Sequence, residues 1–360
     1  MNTAMSPLRT FAAQLLWGLC LALAPPLVLA QQEQVYTLAH FSFEGGGQLD
    51  GMKVSYATWG QRSPADDNVI VLVPATSGVK NWAASHIGPG KAFDTDRWFI
   101  VSIDAIGGGG SSQPRDGLGS RFPRYNIRDM VRAQHALLTD GLKLKGVAAV
   151  AGGSSGAYQA LEWGVMYPGY ARGLVLYSGT ARADRHVKAI VDSIVATLSL
   201  DAAYAAGTAA PPGGDAVRRA AVVYFPWLGS DAMFEAMPSD EAFAKAQAGF
   251  AESWARQWDA TGLAWRYQSS RLHDVSAPYG SDMARALGRV TGQVLALNVS
   301  SDRTHPLPSS QAMVRGLAHA KVTEALLDSP RGHVAIFSGP GSPEYAFVES
   351  RTKAFLAGLK

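Results

Sequence analysis

The sequence predicts an α/β fold, in which a mostly parallel central sheet is flanked by helices and carries an inserted helical cap. Short runs of β-branched and apolar residues alternate with longer stretches of helical periodicity, the pattern of strands joined by crossover helices. The alternation fails over residues 182–285, which are rich in Ala and aromatic residues, and it resumes afterwards. A helical insertion between two parts of one core, residues 31–181 and 286–360, explains this arrangement.

Residues 1–30 precede this core and are predicted to be a secretory signal peptide. Arg9 is the only charged residue there, and an apolar run over residues 11–23 leads to small residues before a cut predicted after Ala30. The run is shorter than the about 20 residues of a membrane-spanning helix, and a retained anchor is the alternative. We therefore expect a periplasmic or secreted protein without stable membrane association after cleavage.

Composition excludes several classes of function. The only cysteine, Cys20, lies in the signal peptide, so the mature chain would have no disulfide and no cysteine metal site. A formal net charge of +3, with both signs interspersed, gives no electrostatic basis for binding nucleic acid. The histidines are scattered without metal-ligand spacing, so we expect neither a metal nor another cofactor. The expected partner is a small molecule, and a homodimer is left open.

The predicted elements of the core follow in chain order. Residues 69–73 form a continuous apolar run, as expected of a strand that is buried on both faces. The other predicted strands are 98–103, 147–151, 173–177, 294–299 and 322–327. Apolar residues at helical spacing predict helices over 127–138, 155–166, 311–318 and 345–359.

A candidate nucleophile lies between the predicted strand 147–151 and the helix that follows it. Gly152-Gly153-Ser154-Ser155-Gly156 matches G-x-S-x-G in the strand–turn–helix context of the nucleophile elbow, which is typical of the α/β-hydrolase fold. The turn would project the Ser154 hydroxyl beyond the sheet, at a helix N-terminus that favours developing negative charge. Choosing Ser155 instead would place Ala157 where the helix needs glycine, so Ser154 is preferred. A glycine-rich turn without chemistry is the other interpretation.

The acid and the base are predicted from chain order, which in this fold is Ser, then Asp or Glu, then His. Asp302 follows the predicted strand 294–299, and His333 lies on the loop after the last strand, so both positions satisfy the topology. A histidine would take the serine proton, and a carboxylate would fix the histidine tautomer. His305 is a weaker rival that lies on the Asp302 loop, and Asp274 is an acid with no core strand before it.

Two main-chain N–H groups are predicted to form an oxyanion hole. One belongs to Ser155, the residue after the nucleophile. The other comes from the loop 74–78 after the first buried strand, within which Thr76 is our choice. A loop that only turns the chain is the alternative.

Several dispersed motifs resemble those of the homoserine O-acetyltransferase family within the α/β-hydrolases. The resembling segments are 81–82, 87–92, 94–97, 122–123, 127–134, 152–154, 159–163, 301–302, Pro306, 329–330 and 332–333. The resemblance implies the α/β-hydrolase fold, with Ser154 as nucleophile, Asp302 as acid and His333 as base.

The resemblance fades where the substrate is chosen. Family members that act on homoserine typically carry an Asp directly after the catalytic histidine, where it can pair with the substrate ammonium. Val334 occupies this position here, and a buried ammonium without a partner is costly. Arg218 and Arg219 lie near the region from which the family's carboxylate-binding arginine is expected, but an exposed surface charge is the favoured interpretation of both.

Three functions are compared at this point. A serine hydrolase would cleave carboxylic esters or related acyl compounds through an acyl-enzyme intermediate, whereas an O-acyltransferase would pass the same acyl group to an alcohol. A non-catalytic binding protein is least favoured, because all three triad members are present in order. Export favours hydrolysis, because acetyl-CoA is a cytosolic metabolite and water is available everywhere.

Overall fold

The computed structural model describes residues 32–359 of the chain. The predicted signal peptide and its cut after Ala30 lie outside the described residues. Within residues 32–359, no helix combines the length and the apolar character that a bilayer span would need.

Eight strands form one sheet in the order β1-β2-β4-β3-β5-β6-β7-β8. The strands are β1 (Gln32–Ser42), β2 (Gln48–Trp59), β3 (Val69–Val73), β4 (Phe99–Ile103), β5 (Val147–Gly153), β6 (Ala171–Tyr177), β7 (Gln293–Val299) and β8 (Lys321–Leu327). All neighbours from β4 through β8 pair in parallel. β1 and β2 form an antiparallel hairpin whose second strand pairs antiparallel with β4. The predicted α/β fold, with its mostly parallel central sheet, is therefore confirmed.

Helices cover the sheet on both faces. They are α1 (Ile127–Ala136), α2 (Ser155–Met166), α3 (Arg185–Leu198), α4 (Ala202–Ala206), α5 (Asp215–Leu228), α6 (Asp231–Glu235), α7 (Asp240–Gln257), α8 (Ala260–Arg271), α9 (Met283–Leu287), α10 (Leu307–Gly316) and α11 (Pro343–Ala357). The helices α3–α9, here called the cap helices, occupy the chain between β6 and β7. Short polar side chains begin many of these helices; Asn126 and Asp129, for example, form a reciprocal capping box at α1.

Two hydrophobic cores lie on opposite faces of the sheet, and β3 contributes to both. Successive side chains of a strand point to opposite faces. Accordingly, Ile70 and Leu72 belong to one core, whereas Val69, Val71 and Val73 belong to the other. Every residue of β3 is buried, which explains why its sequence is a continuous apolar run.

A buried carboxyl group lies behind the nucleophile helix. Glu162 of α2 is only 1% exposed, and the nearest atom of Arg128 is 3.7 Å from its Oε2 atom, too far for a hydrogen bond. Arg128 instead donates its Nε–H to the exposed Glu44 at 2.9 Å. Burial raises the pKa of Glu162 to about 7, although the charge of Arg128 opposes the shift. The fold therefore favours the protonated form of this side chain.

Glu162 is expected to make stability fall as the pH rises. The pKa of Glu162 in the folded protein, about 7, exceeds its ordinary value of 4.5, so the folded state binds more protons between these values. Its stabilising contribution is complete below about pH 4.5 and is lost by about pH 7 to 8, an effect on the order of 3 kcal/mol. We expect Glu162→Gln to raise the unfolding temperature at pH 8 relative to the unsubstituted protein, and to change it much less at pH 5.

The matched control for this prediction is Glu44→Gln, which changes the exposed carboxylate bound to the same arginine. Removing an exposed ion pair costs at most about 1 kcal/mol and brings no relief of burial at pH 8. Thermal unfolding at pH 5 and pH 8 compares the two variants. Equal stability changes for Glu162→Gln at both pH values would contradict the prediction.

Candidate active site

Ser154 lies at the tight turn between β5 and α2. Its backbone has φ 57° and ψ −124°, a conformation that costs a non-glycine residue about 1–3 kcal/mol. A Cβ atom on Gly152 would lie 2.4 Å from the carbonyl carbon of Gly156, and one on Gly156 would lie 2.6 Å from the oxygen of Val73. Glycine at these two positions therefore permits the close strand–helix approach that produces the strained serine.

Hydrogen bonds hold this turn at the carboxyl edge of the sheet. The Ser154 N–H donates to the main-chain carbonyl of Tyr177 at 2.9 Å, which fixes the turn to the end of β6. The Ala157 N–H donates to the main-chain carbonyl of Ser154 at 2.9 Å, which begins the first turn of α2. The serine is thus held between two strand ends and a helix N-terminus.

Asp302 and His333 are in direct contact. His333 Nδ1–H donates to Asp302 Oδ2 at 2.7 Å, and both side chains are buried. The other carboxylate oxygen accepts the main-chain N–H groups of Thr304 and His305, each at 2.8 Å. Burial alone would raise the pKa of Asp302, but the charge of His333 and these hydrogen bonds outweigh it and hold the pKa below its usual value. The pair is therefore suited to hold a histidine in one tautomer.

The His333 ring is free at its second nitrogen. With Nδ1 donating to Asp302, Nε2 carries the lone pair, and it has no protein hydrogen-bond partner within residues 32–359. The centroid of the Phe337 ring lies 6.1 Å from that of the His333 ring. The same Phe337 ring adjoins the nucleophile elbow, because a Cβ atom built on Gly153 would lie 3.0 Å from it. The turn that carries His333 thus packs beside the turn that carries Ser154.

The loop 74–78 lies against the N-terminus of α2. Thr76 Oγ1 is 2.9 Å from Ser155 Oγ and 3.1 Å from Ser270 Oγ of α8. Thr76, Ser154 and Ser155 line the same cavity. The two residues predicted for the oxyanion hole therefore adjoin the predicted nucleophile, and the Ser155 hydroxyl is engaged by Thr76.

His305, the weaker rival on the Asp302 loop, lines the cavity and is buried. Its Nδ1–H donates to the main-chain carbonyl of Ser178 at 2.6 Å, and its Nε2 accepts from the Tyr158 hydroxyl at 2.6 Å. Burial lowers the pKa of His305 to about 4, so the ring is neutral at neutral pH. Because both nitrogens are committed, His305 is not placed to take a proton from a serine.

Tyr158 is a cavity residue that sequence reasoning missed. It lies four residues after Ser154, in the first turn of α2, and both residues line the cavity. Its ring stacks on that of buried His273, with centroids 4.0 Å apart. The helical spacing from the nucleophile was the signal that could have identified it.

Asp302, His305 and His333 also satisfy a distance criterion for metal ligands, because their nearest ligand atoms lie within 4.8 Å of one another. Both nitrogens of His305 are, however, used in hydrogen bonds, and Asp302 accepts from His333. The group is therefore arranged as a hydrogen-bonded acid–base pair beside a neutral histidine, and it suits proton transfer better than cation binding.

The cavity beside Ser154 is small and uncharged. Its volume is about 20 Å³, room for about one water molecule. The lining residues are Thr76, Ser154, Ser155, Tyr158, Val187, Ile190, Val191, Tyr224, Tyr267, Ser270, Thr304 and His305. None of these side chains carries a formal charge when His305 is neutral. The cavity therefore suits a small, neutral group.

The weaker candidates from the sequence lie away from this cavity. Asp274 binds the N–H and hydroxyl of Ser276. Arg218 donates to Glu252 at 2.6 Å on the surface of the cap helices, and Arg219 is exposed. Both arginines thus have the surface setting that the sequence favoured. Val334 is half-buried directly after His333.

Comparisons with known proteins confirm the predicted α/β-hydrolase fold. The model of the α/β-hydrolase fold family matches residues 68–340. The homoserine O-acetyltransferase of Thermobifida fusca (strain YX) is 33% identical over 327 residues, which cover 81% of this chain and 86% of that protein. The homoserine O-acetyltransferase of Leifsonia xyli subsp. xyli (strain CTCB07) is 31% identical over 319 residues, covering 78% and 79% of the two chains.

Solved structures share the same fold. An acetylester hydrolase from Corynebacterium glutamicum superposes with a TM-score of 0.83 at 24% identity, covering 91% of this chain and 96% of that chain. The homoserine O-acetyltransferase from Bacillus anthracis superposes with a TM-score of 0.79 at 21% identity, covering 91% and 97% of the two chains.

Proposed function

Since the chain belongs to the α/β-hydrolase fold family, and within it to the homoserine O-acetyltransferase-like family, we propose that it is a serine hydrolase of small, neutral carboxylic esters. The observation that carries the proposal is the buried Asp302–His333 hydrogen bond of 2.7 Å beside the strained turn of Ser154. A serine held in a costly conformation next to an oriented imidazole is the arrangement that nucleophilic catalysis requires.

The first half of the reaction forms an acyl-enzyme. Ser154 Oγ attacks the ester carbonyl carbon while His333 Nε2 takes its proton, and Asp302 stabilises the resulting imidazolium. The N–H groups of Ser155 and Thr76 bind the negative oxygen of the tetrahedral intermediate. The carbon–oxygen bond to the alcohol then breaks, and the alcohol leaves with the proton that His333 returns.

The second half releases the acyl group. His333 takes a proton from water as the water oxygen attacks the acyl carbon. As the intermediate collapses, the bond from the acyl carbon to Ser154 Oγ breaks, His333 returns the proton to that oxygen, and a carboxylic acid is released. An O-acyltransferase differs only in this step, where an acceptor alcohol replaces water. The choice of substrate therefore depends on what the cavity can hold.

The lining of the cavity supports a neutral ester over homoserine. Homoserine carries an ammonium and a carboxylate, and each would lose hydration without a charged partner among the lining residues. Val334 supplies no carboxylate after the histidine, and Arg218 is held by Glu252. The small volume of the cavity, about 20 Å³, supports a short acyl group over a long one.

The transferase remains the second candidate, favoured by the 33% identity to a homoserine O-acetyltransferase. The deciding experiment gives purified protein either p-nitrophenyl acetate, butyrate and octanoate, or acetyl-CoA with L-homoserine. We expect hydrolysis that falls about 10-fold or more from acetate to butyrate, because added methylenes exceed the cavity. Thiol release with formation of O-acetylhomoserine, faster than hydrolysis of any of these esters, would contradict the proposal.

The proposal includes export of the enzyme to the periplasm or medium. It rests on the sequence of residues 1–30, with cleavage after Ala30. Mass spectrometry of the protein secreted from a bacterial host should find Gln31 as the first residue. Full-length protein recovered only from the cytosol would contradict export without affecting the proposed chemistry.

A further inference from the structure

Arg266 is a buried cation near the oxyanion loop that the reaction described above does not use. It lies on α8 and is 1% exposed, and no carboxylate within residues 32–359 forms an ion pair with it. A buried guanidinium is costly unless its donors are satisfied. Here three main-chain carbonyls accept from it: Ala75 at 2.6 Å, Thr76 at 2.9 Å and Ile106 at 3.3 Å.

The carbonyls of Ala75, Thr76 and Ser77 are bound by side chains from the region between β6 and β7. Arg266 binds the carbonyls of Ala75 and Thr76. The next carbonyl, that of Ser77, accepts from Trp258 Nε1 at 3.2 Å. In a trans peptide the C=O and the following N–H point in opposite directions, and no peptide bond of the described residues is cis. Fixing the Ala75 and Thr76 carbonyls therefore turns the N–H groups of Thr76 and Ser77 away from Arg266.

The turn that carries the nucleophile adjoins the same loop. Thr76 Oγ1 contacts Ser155 Oγ at 2.9 Å, and Thr76 lines the cavity together with Ser154. From this arrangement we propose that Arg266 is the positioning residue that orients the loop 74–78 so that the Thr76 N–H faces the oxyanion. The inference rests on the proposed function, because it assigns a role in stabilising the intermediate formed at Ser154.

The shape of arginine suits this role. Its planar fork donates from Nε and Nη2 to two consecutive carbonyls, and from Nη1 to the Ile106 loop. The Trp258 ring lies 5.8 Å from the guanidinium and borders it on one side. A lysine has three donors on one rotatable ammonium and lacks the planar fork that fits two consecutive carbonyls. The same hydrogen bonds leave Arg266 unavailable for a substrate carboxylate.

The test compares Arg266→Met and Arg266→Lys with the control Arg271→Met. Arg271 lies on the same helix but pairs with exposed Asp192 at the surface. Four quantities are measured: the rate at which a small fluorophosphonate labels Ser154, kcat and KM for p-nitrophenyl acetate, and Ki of methyl trifluoromethyl ketone. The serine hydroxyl adds to the carbonyl carbon of the ketone. The resulting negative oxygen lies where the oxyanion of the tetrahedral intermediate would lie.

We expect Arg266→Met to lower the labelling rate and kcat about 100-fold, the cost typical of a displacement of about 1 Å. KM should change little, and Ki should rise in parallel with the fall in kcat/KM, because the loss is confined to the transition state. Arg266→Lys should be intermediate, and Arg271→Met should match the unsubstituted enzyme.

Other results would overturn the inference. A lower unfolding temperature with unchanged kcat per titrated site would mean that Arg266 only stabilises the fold, and a higher KM at constant kcat would mean that it binds substrate. If the Met variant does not fold, the Lys variant decides by the same criteria. If the unsubstituted protein is labelled but hydrolyses no ester, the proposed function fails, and the ratio of labelling rates still decides the role of Arg266.

Discussion

Ser154→Ala is expected to lower ester turnover by about 10⁴- to 10⁶-fold, because it removes the atom that forms the acyl-enzyme. Ser155→Ala should keep measurable activity. Its main-chain N–H remains, and the substitution removes only the hydroxyl that contacts Thr76 at 2.9 Å. Steady-state kinetics with p-nitrophenyl acetate compares the two variants.

Covalent labelling gives an independent reading of the same prediction. A fluorophosphonate should add its mass to the peptide that contains Ser154, and the Ser154→Ala variant should remain unlabelled. Thermal unfolding should show that Ser154→Ala is folded, and it should gain stability if alanine relieves part of the strain at φ 57°. A label on Ser155 with Ser154 unmodified would contradict the assignment.

Asp302→Asn is expected to lower kcat about 10⁴-fold, as in other enzymes whose catalytic histidine loses its carboxylate. The amide can donate to His333 Nδ1, and this favours the tautomer with its proton on Nε2, where the lone pair is needed. The size of the side chain is unchanged, so KM should change far less than kcat. Kinetics on acetyl esters, together with circular dichroism to verify folding, measures the effect.

The matched control is Asp274→Asn, which changes the acid that sequence alone left as a rival. Asp274 binds the N–H of Ser276 at 2.9 Å and lines no part of the cavity. Activity should therefore stay within about 10-fold of the unsubstituted enzyme, because any effect on the site is indirect. A larger loss for Asp274→Asn than for Asp302→Asn would reverse the assignment of the acid.

Much of the core could be predicted because parallel strands covered on both faces are apolar throughout. The predicted strand 69–73 coincides with β3, and the predicted strand 322–327 differs from β8 by one residue. The hairpin of β1 and β2 was not identified. Most of β1 is exposed, so its polar side chains mask the period of a strand. The first turn of α10 was also missed, since its start at Leu307 follows Pro306, a signal that the sequence reading did not use.

Some residues of the candidate site could be predicted from the sequence and others could not. Ser154, Asp302 and His333 could be placed because chain order and strand ends determine where such loops lie. Tyr158 and Arg266 could not be assigned roles from sequence. The Tyr158 contact with His305 joins residues 147 positions apart. The contacts of Arg266 with the loop 74–78 join residues 190 or more positions apart, and they depend on how α8 packs over the sheet.

The contacts of Trp258 and Arg266 with the loop 74–78 bear on how such an enzyme can be re-engineered. Exchanging the region between β6 and β7 for that of a relative is an attractive route to new selectivity, because this region supplies much of the cavity wall. In this chain the exchange would also remove the donors that hold the carbonyls of Ala75 and Thr76. A chimera could then acquire a wider cavity and lose its rate for a reason unrelated to fit. A successful graft would have to carry a guanidinium to the same two oxygens, or come with a redesigned loop that holds its own shape.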